Sequence, residues 1–435
     1  MLHKEIKYPV ENLNGSPRAV VANAIHALNQ HSEWTGVLGY DTFSMRTAAM
    51  RPPAWVSKGN APFEPCAWTD TDDIRTADWL QKNNIFVSPD VARQAVEVAA
   101  RRQEFHPVND YLDSLKWDGR ARIDNLSFDY FGAEKTPYTQ AVSPAFLIGA
   151  VARVKQPGCK ADAMPVFEGQ QDAGKSSAMD AMFSPWFSDE MADPGSKDAA
   201  MQLQGAWCIE IAELDAFSRA ETTRIKAFLS RRNDRFRPPY GTRVSEFPRQ
   251  CIFAGTTNKD DYLRDETGGR RFWPIKCGRI DLDAIHRDRD QLWAEAVARH
   301  RKGARWWLDP QTARMAMQQQ AERYVGDAWE PAIRAWIHNR DDVSIAEILE
   351  MALDIKKDRW SQQDQNRVAR ILISERYDCG AAVWKRQQKR IDGHRQHRYI
   401  RQPDPIDEAD RVMTAVTRLR VVHGGTGDGQ TGDNR

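Results

Sequence analysis

The chain has 435 residues, a formal net charge of +1, 41% hydrophobic and 28% charged residues. That length is room for about two to three domains, each able to bury a core, and the composition is that of a soluble globular protein. A net charge so close to zero excludes a diffusely basic nucleic-acid coat, so any such contact has to be a compact local patch.

The six cysteines, Cys66, Cys159, Cys208, Cys251, Cys277 and Cys379, are scattered without a Cys-x-x-Cys pair. This fits reduced thiols in a cytoplasm and opposes a disulfide framework or a zinc module. His394-x-x-His397 has ligand-like spacing but no second pair and lies among arginines, so no metal role is assigned to it. The N-terminus shows no apolar signal core, and the most apolar run, Ala145 to Ala152, is too short to span a bilayer. The expectation is a cytoplasmic protein of a bacterial host cell without a membrane partner.

Along the chain, residues 1–135 read as a mixed, mostly helical domain. Helical spacing runs from Arg18 to Leu28, from Asp72 to Leu80 and from Asp90 to Phe105, the last after the start signal Ser88-Pro89. Gly36 to Phe43 reads as a turn-rich hairpin. Arg93, Arg101 and Arg102 read better as a solvated helix face than as DNA contacts. Pro137 to Val154 is an amphipathic helical region ended by Gln156-Pro-Gly158.

Next comes Gly169-Gln170-Gln171-Asp172-Ala173-Gly174-Lys175-Ser176-Ser177, in the pattern of a nucleotide-binding phosphate loop. It follows a short apolar strand, Met164 to Phe167, and precedes helical spacing through Phe183. The glycines let several N–H groups converge on a phosphate. Lys175 would reach the β/γ-oxygens and Ser176 would ligate Mg²⁺, beside a positive helix N-terminus. ATP and Mg²⁺ are the cofactors this implies. After the loop, apolar runs alternate with helical patterns to about residue 305, as for a sheet flanked by helices.

Such a site needs a carboxylate on a neighbouring strand. Trp207-Cys-Ile-Glu-Ile-Ala-Glu-Leu214 offers Glu210 and Glu213 in a run apolar enough to be buried, where acids are costly without a metal or cation. Glu213, at the strand's end, is the favoured catalytic and metal-binding acid, with Glu210 as helper or alternative. The strand Gln250 to Asn258 ends in polar residues at the edge where a nucleotide lies. Asn258 would position the attacking water. Arg270 and Arg271, after Gly268-Gly269, could be presented to a transferring phosphoryl group, often that of a neighbouring subunit.

Between the acids and Asn258, the stretches 235–238 and 243–247 pair as a candidate hairpin tipped by residues 239–242. Arg235, Arg237 and Arg243 with Tyr240 suit single-stranded nucleic acid, phosphates on arginine and bases on tyrosine. A Gln-rich helical connector, 308–330, leads to three helices (332–338, 343–353, 361–372). Two basic strands follow, 383–390 and 395–401, turning at Asp392-Gly393. Three helices and a hairpin suggest a winged helix over 331–410, with Lys385, Arg386, Lys389 and Arg390 available to duplex DNA. The Gly-rich tail, 411–435, has too little apolar surface to order fully.

Glu210-Ile-Ala-Glu-Leu-Asp215, Lys226-Ala-Phe-Leu-Ser230, Asp234-Arg-Phe-Arg-Pro-Pro-Tyr-Gly241, Gly255-Thr-Thr-Asn258 and Glu266-Thr-Gly-Gly-Arg-Arg-Phe-Trp273 together resemble the virulence-associated protein E family of phages, prophages and other mobile elements. The resemblance covers about residues 105–300. It implies an AAA+ core over 136–307, of the superfamily 3 helicase type related to primase-helicases.

By the same resemblance Lys175 and Ser176 hold phosphate and Mg²⁺, Glu213 is the acid, Asn258 the sensor, and Arg270 with Arg271 the arginine pair. Lys226 and the 235–243 hairpin face the central DNA channel of a homo-hexameric ring. Asp172 departs from the pattern, since relatives often carry glycine there, and residues 1–105 show no primase catalytic site. A separate primase or other replication proteins are the further partners implied. The expected activity is ATP-dependent unwinding or translocation. The alternative is an ATP-switched DNA-binding initiator without processive unwinding.

Overall fold

The computed structural model describes residues 7–56, 62–194, 196–238, 243–263, 269–324, 327–375, 381–391 and 394–405. The described residues divide into two compact units, one up to Tyr324 and one from Asp327 onward. The boundaries expected at 135 and 307 thus fall inside the first unit.

The first unit opens with α1 (Val21–Gln30), β1 (Leu38–Asp41), β2 (Arg46–Ala49), β3 (Cys66–Ala67), α2 (Asp70–Lys82), α3 (Pro89–Ala100) and β4 (Glu104–Phe105). A reciprocal cap between Thr69 and Asp72 starts α2, and Ser88 with Pro89 at the first helical position starts α3. Four strands in the order β3-β2-β1-β4 form a small sheet under these helices. The hairpin therefore lies further on than expected. Asp41 accepts bonds from the Phe43 and Ser44 amides, turning the chain so that Asp41 pairs with Arg46. The helix expected to reach Phe105 stops at Ala100, because residues 104–105 pair with β1.

After α4 (Pro107–Ser114) and α5 (Leu126–Asp129) comes α6 (Pro137–Lys155), which buries residues on every face, from Tyr138 to Val154. The expected amphipathic helix is instead a core helix. It packs on the sheet that carries the loop. That sheet holds β5 (Met164–Glu168), β6 (Phe187–Ser188), β7 (Cys208–Ile211), β10 (Ile252–Thr257) and β11 (Phe272–Lys276), all parallel, in the order β11-β5-β10-β7-β6. Numbered by chain position, the order is fifth-first-fourth-third-second.

The strands are nearly continuous in buried residues, as a parallel sheet covered on both faces requires. Around it run α7 (Lys175–Phe183), α8 (Lys197–Gln202), α9 (Arg219–Leu229), α10 (Leu282–Arg301) and α11 (Pro310–Glu322). A separate antiparallel hairpin, β8 (Asn233–Phe236) with β9 (Ser245–Pro248), rises between β7 and β10 in the chain.

The second unit runs α12 (Glu330–Ile337), β12 (Asp342–Val343), α13 (Ile345–Glu347) with a π turn to Ala352, α14 (Gln362–Ser374), β13 (Trp384–Ile391) and β14 (His394–Arg401). Val343, expected in a helix, instead pairs with Tyr399. The three strands form an antiparallel sheet, β12-β14-β13, over a core of Ile333, Ile337, Leu349, Val368, Leu372, Trp384 and Tyr399. The Asp392-Gly393 turn and the tail lie outside the described residues.

Candidate active site

The loop between β5 and α7 bends on two left-handed residues, Asp172 at φ +59° and Gly174 at φ +86°. Gly174 is the helix cap, so the first amides of α7 point back into the loop without a side-chain cap. Lys175 is buried and folds over the loop. Its Nζ donates to the carbonyl oxygens of Gly169 (2.8 Å) and Gln170 (2.7 Å) and to Asn258 Oδ1 (3.1 Å). Burial pushes its pKa below the ordinary lysine value, so an incoming polyanion would find a poorly solvated cation.

Asn258 follows β10, the strand beside β5, and the Gly169 amide donates to the Thr257 carbonyl. The loop lysine and Asn258 are thus brought together by neighbouring parallel strands, at their C-terminal ends. Gln170, Gln171, Asp172, Ser176 and Ser177 remain exposed along the loop, with Ala173 half-buried.

Glu210 is the acid that meets the loop. It is 1% exposed on β7, and its Oε1 accepts from Ser176 Oγ (2.7 Å) and Thr256 Oγ1 (2.5 Å). Its Oε2 is buried without a hydrogen-bond partner among the described residues. A buried orphan carboxylate oxygen beside a serine hydroxyl is a hard-oxygen donor set that fits Mg²⁺. Glu213, favoured from the sequence, lies beyond the end of β7 on an exposed turn in the left-handed region, φ +53°. The strand ends at Ile211, two residues earlier than assumed. The structure therefore gives the Ser176 hydroxyl to Glu210, not Glu213.

Arg270 and Arg271 precede β11, whose Phe272 pairs with Met164 and whose Lys276 pairs with Glu168. They stand at the sheet edge opposite the loop, the length of a strand away, roughly 13 Å at 3.3 Å per residue. Arg270 is exposed. Arg271 donates to Ser230 Oγ (2.8 Å) and lies 3.7 Å from Asp162. The sequence reading has these arginines act on a neighbouring subunit's phosphates, and the register holds them apart from Lys175 within a copy.

Of the expected DNA contacts, Lys226 is a correction. It is 6% exposed, with its ammonium 5.8 Å from the Phe272 ring. A cation inside the core presents nothing to a channel. Arg235, Arg237 and Arg243 are exposed on the hairpin, Arg235 paired with Glu246 at 3.2 Å. Tyr240 lies outside the described residues. Beneath the hairpin, Arg249 grips Asp234 with two bonds (2.9 and 2.6 Å), and both side chains are buried. That fork fixes the base of the hairpin. On β13, Lys385, Arg386, Lys389 and Arg390 are exposed, and Lys389 pairs with Asp342 at 2.7 Å.

Sequence reasoning missed a carboxylate at the root of the loop. Glu168, immediately before Gly169 and 3% exposed, accepts from Arg323 Nε (2.6 Å) and Nη2 (2.9 Å) and from the Tyr262 hydroxyl (2.9 Å). The Leu263 amide also donates to the Arg323 carbonyl. The end of α11, the segment after Asn258 and the loop root are thereby tied together. The signal was present: an acid in an apolar strand, the argument applied to Glu210. Arg323→Ala leaves Glu168 buried without a counter-charge, held among the described residues only by the Tyr262 hydroxyl, and the expected loss is about 3–5 kcal/mol of stability, read as a lower urea midpoint at unchanged slope.

Asp172 explains itself by its backbone. Its φ lies where glycine is at ease, and its carboxylate acts electrostatically on Lys175. On the sequence reading of the loop as an ATP site, Asp172→Gly is expected to tighten ATP binding about threefold to tenfold by removing that charge and the strain. Titration with a fluorescent ATP analogue measures this, and the gain shrinks with added salt.

These elements define an α/β protein whose glycine-rich loop stands at the C-terminal edge of a five-stranded parallel sheet. Residues 112–325 match the virulence-associated protein E-like domain, so this stretch of the chain carries a domain of that family. Among solved structures, the apo structure of the NrS-1 C-terminal region (305–718) is similar over 84% of this chain and 96% of that one, at 12% identity and TM-score 0.43. The A form apo structure of the same region has the same coverage at 11% identity and TM-score 0.41. No curated protein matches the chain. Among the described residues no helix is long and apolar enough to cross a membrane.

Proposed function

We propose that the chain is an ATP-dependent DNA helicase or translocase of superfamily 3 type. In this reading it has an AAA+ core and a C-terminal winged helix, and acts as a homo-hexameric ring in the replication of a phage or other mobile element. The observation that carries the reading is the convergence of Lys175, Ser176, Glu210 and Asn258 from the C-terminal ends of three adjacent strands. Further support comes from the strand order fifth-first-fourth-third-second, with the loop after the first strand, the acid on the third and the asparagine after the fourth. In the second unit, the order helix, strand, helix, helix, strand, strand is that of a winged helix with a basic β13–β14 wing.

On ATP binding, Lys175 exchanges two loop carbonyls for phosphate oxygens, and the loop amides and the α7 terminus take up the remaining charge. Ser176 and Glu210 would hold Mg²⁺, which neutralises charge on the phosphates when bound. Glu213, exposed at the end of the turn, and Asn258 orient and polarise the attacking water. Arg270 of a neighbouring copy supplies the cation that the site's own chain cannot deliver. The β8–β9 hairpin carries Arg235, Arg237 and Arg243 to single-stranded DNA.

The exposed cations of β13 favour a second reading, an ATP-switched initiator that grips duplex DNA without unwinding it. An ATPase assay run beside strand displacement from a forked duplex separates the two. ATP-driven displacement of the labelled strand is the expected result. ATP-dependent binding of the duplex without displacement establishes the initiator, absence of turnover ends the helicase reading, and DNA binding indifferent to ATP ends the initiator as well.

A further inference from the structure

The residues that precede β5 and β11, together with the segment after α10, surround a cavity of about 530 Å³ at the sheet edge opposite the phosphate loop. Its lining combines three cations, Lys160, Arg270 and Arg271, and one acid, Asp162, 3.7 Å from Arg271, with Trp273, Trp306 and Trp307, which leaves a net positive rim carried by Lys160 and Arg270. Trp306 is pinned, because its Nε1 donates to the Lys160 carbonyl (2.8 Å). Trp307 stands edge-on to it with ring centroids 5.1 Å apart and is 54% exposed. An exposed tryptophan ringed by arginine and lysine has the composition of an interface anchor.

At the other edge of the same sheet the charge is reversed. Asp260 and Asp261, exposed just after Asn258, line a second cavity of about 600 Å³ with Glu134 and Glu322, against the cations Lys276 and the Glu168-paired Arg323.

We propose that the tryptophan cavity docks a second copy of this chain, and that the second copy presents its acidic edge at Asp260 and Asp261. The proposal rests on the reading above, in which Arg270 completes a neighbour's site. Arg270 lines this cavity and cannot reach its own loop, so a copy that receives Arg270 has to stand against the cavity. The cationic edge of one copy and the acidic edge of the next are complementary. They lie on opposite edges of one sheet, so the contact is head-to-tail, which closes into rings. Trp307 is the anchor and Lys160 a steering charge.

Sedimentation velocity of the full chain with Mg²⁺ and the ATP analogue AMP-PNP tests this. Wild type is expected to assemble, and Trp307→Ser to need at least tenfold more protein to do so while binding a fluorescent ATP analogue normally. Lys160→Glu and the double variant Asp260→Lys/Asp261→Lys are each expected to assemble poorly alone and to co-assemble when mixed. Assembly of Trp307→Ser at the wild-type concentration overturns the proposal, as does a mixture no better than its components. A wild type that binds the nucleotide yet stays monomeric overturns it too, while leaving the nucleotide site intact. A wild type that assembles through Trp307 without binding nucleotide sinks the ATPase reading and leaves the docking surface standing.

Discussion

Lys175→Ala is expected to lower ATP turnover at least a hundredfold while the protein stays folded. The rate loss follows from removing a preorganised cation aimed at the phosphates, an effect of about 10² to 10³ in other sites that lose one such donor. Retained folding follows from what Lys175 touches. Its ammonium bonds two carbonyls of its own loop and one exposed asparagine, and none of the buried ion pairs passes through it. It is also a buried lysine, whose desolvation alanine relieves. A melting temperature within a few degrees of wild type with turnover gone is the expected pair of readings. Wild-type turnover in this variant refutes the assignment of the loop. A collapsed melting transition shows that the lysine holds the fold rather than the substrate.

Much of this site was legible because its chemistry is local. The loop, the acids in an apolar run and the Thr256-Thr257-Asn258 ending each violate a core strand's ordinary composition within a few residues. What the sequence left open was decided by register and by solvent. Glu210 and Glu213 are three residues apart, and choosing between them required knowing that β7 ends at Ile211. Lys226 sits in a segment rich in cations and aromatics, and only the packing of α9 turns it inward to Phe272. Phe272-Trp-Pro-Ile-Lys276 contains a proline, which argues against a central strand. It is β11, at the sheet's edge, where a missing amide is tolerated. Two-residue strands such as β4 and β6 carry no periodicity to read. The Glu168–Arg323 pair spans 155 residues, beyond any local pattern.

The arginines give the sharpest remaining test, because the register gives a geometric reason for the neighbouring-subunit role that the sequence reading expected. With Phe272 beside Met164 and Lys276 beside Glu168, Arg270 leaves the sheet at the edge away from Lys175. A charge that acts on a phosphoryl group from there acts on another copy's phosphoryl group. Arg271 is engaged with Ser230 and Asp162, which leaves the exposed Arg270 as the cation to be lent. Arg270→Ala is therefore expected to cost about a thousandfold in turnover, the lower end of what such an arginine supplies, with nucleotide affinity little changed. The decisive measurement mixes this variant with Lys175→Ala. Each is inactive alone, but a site built from the lysine of one and the arginine of the other is complete. Random assembly makes roughly a quarter of the sites complete, so activity should return from two dead proteins and grow with the mixing ratio to a maximum near equal amounts. An arginine acting within its own chain cannot be rescued in this way, and a mixture that stays silent while it co-assembles would refute the shared site.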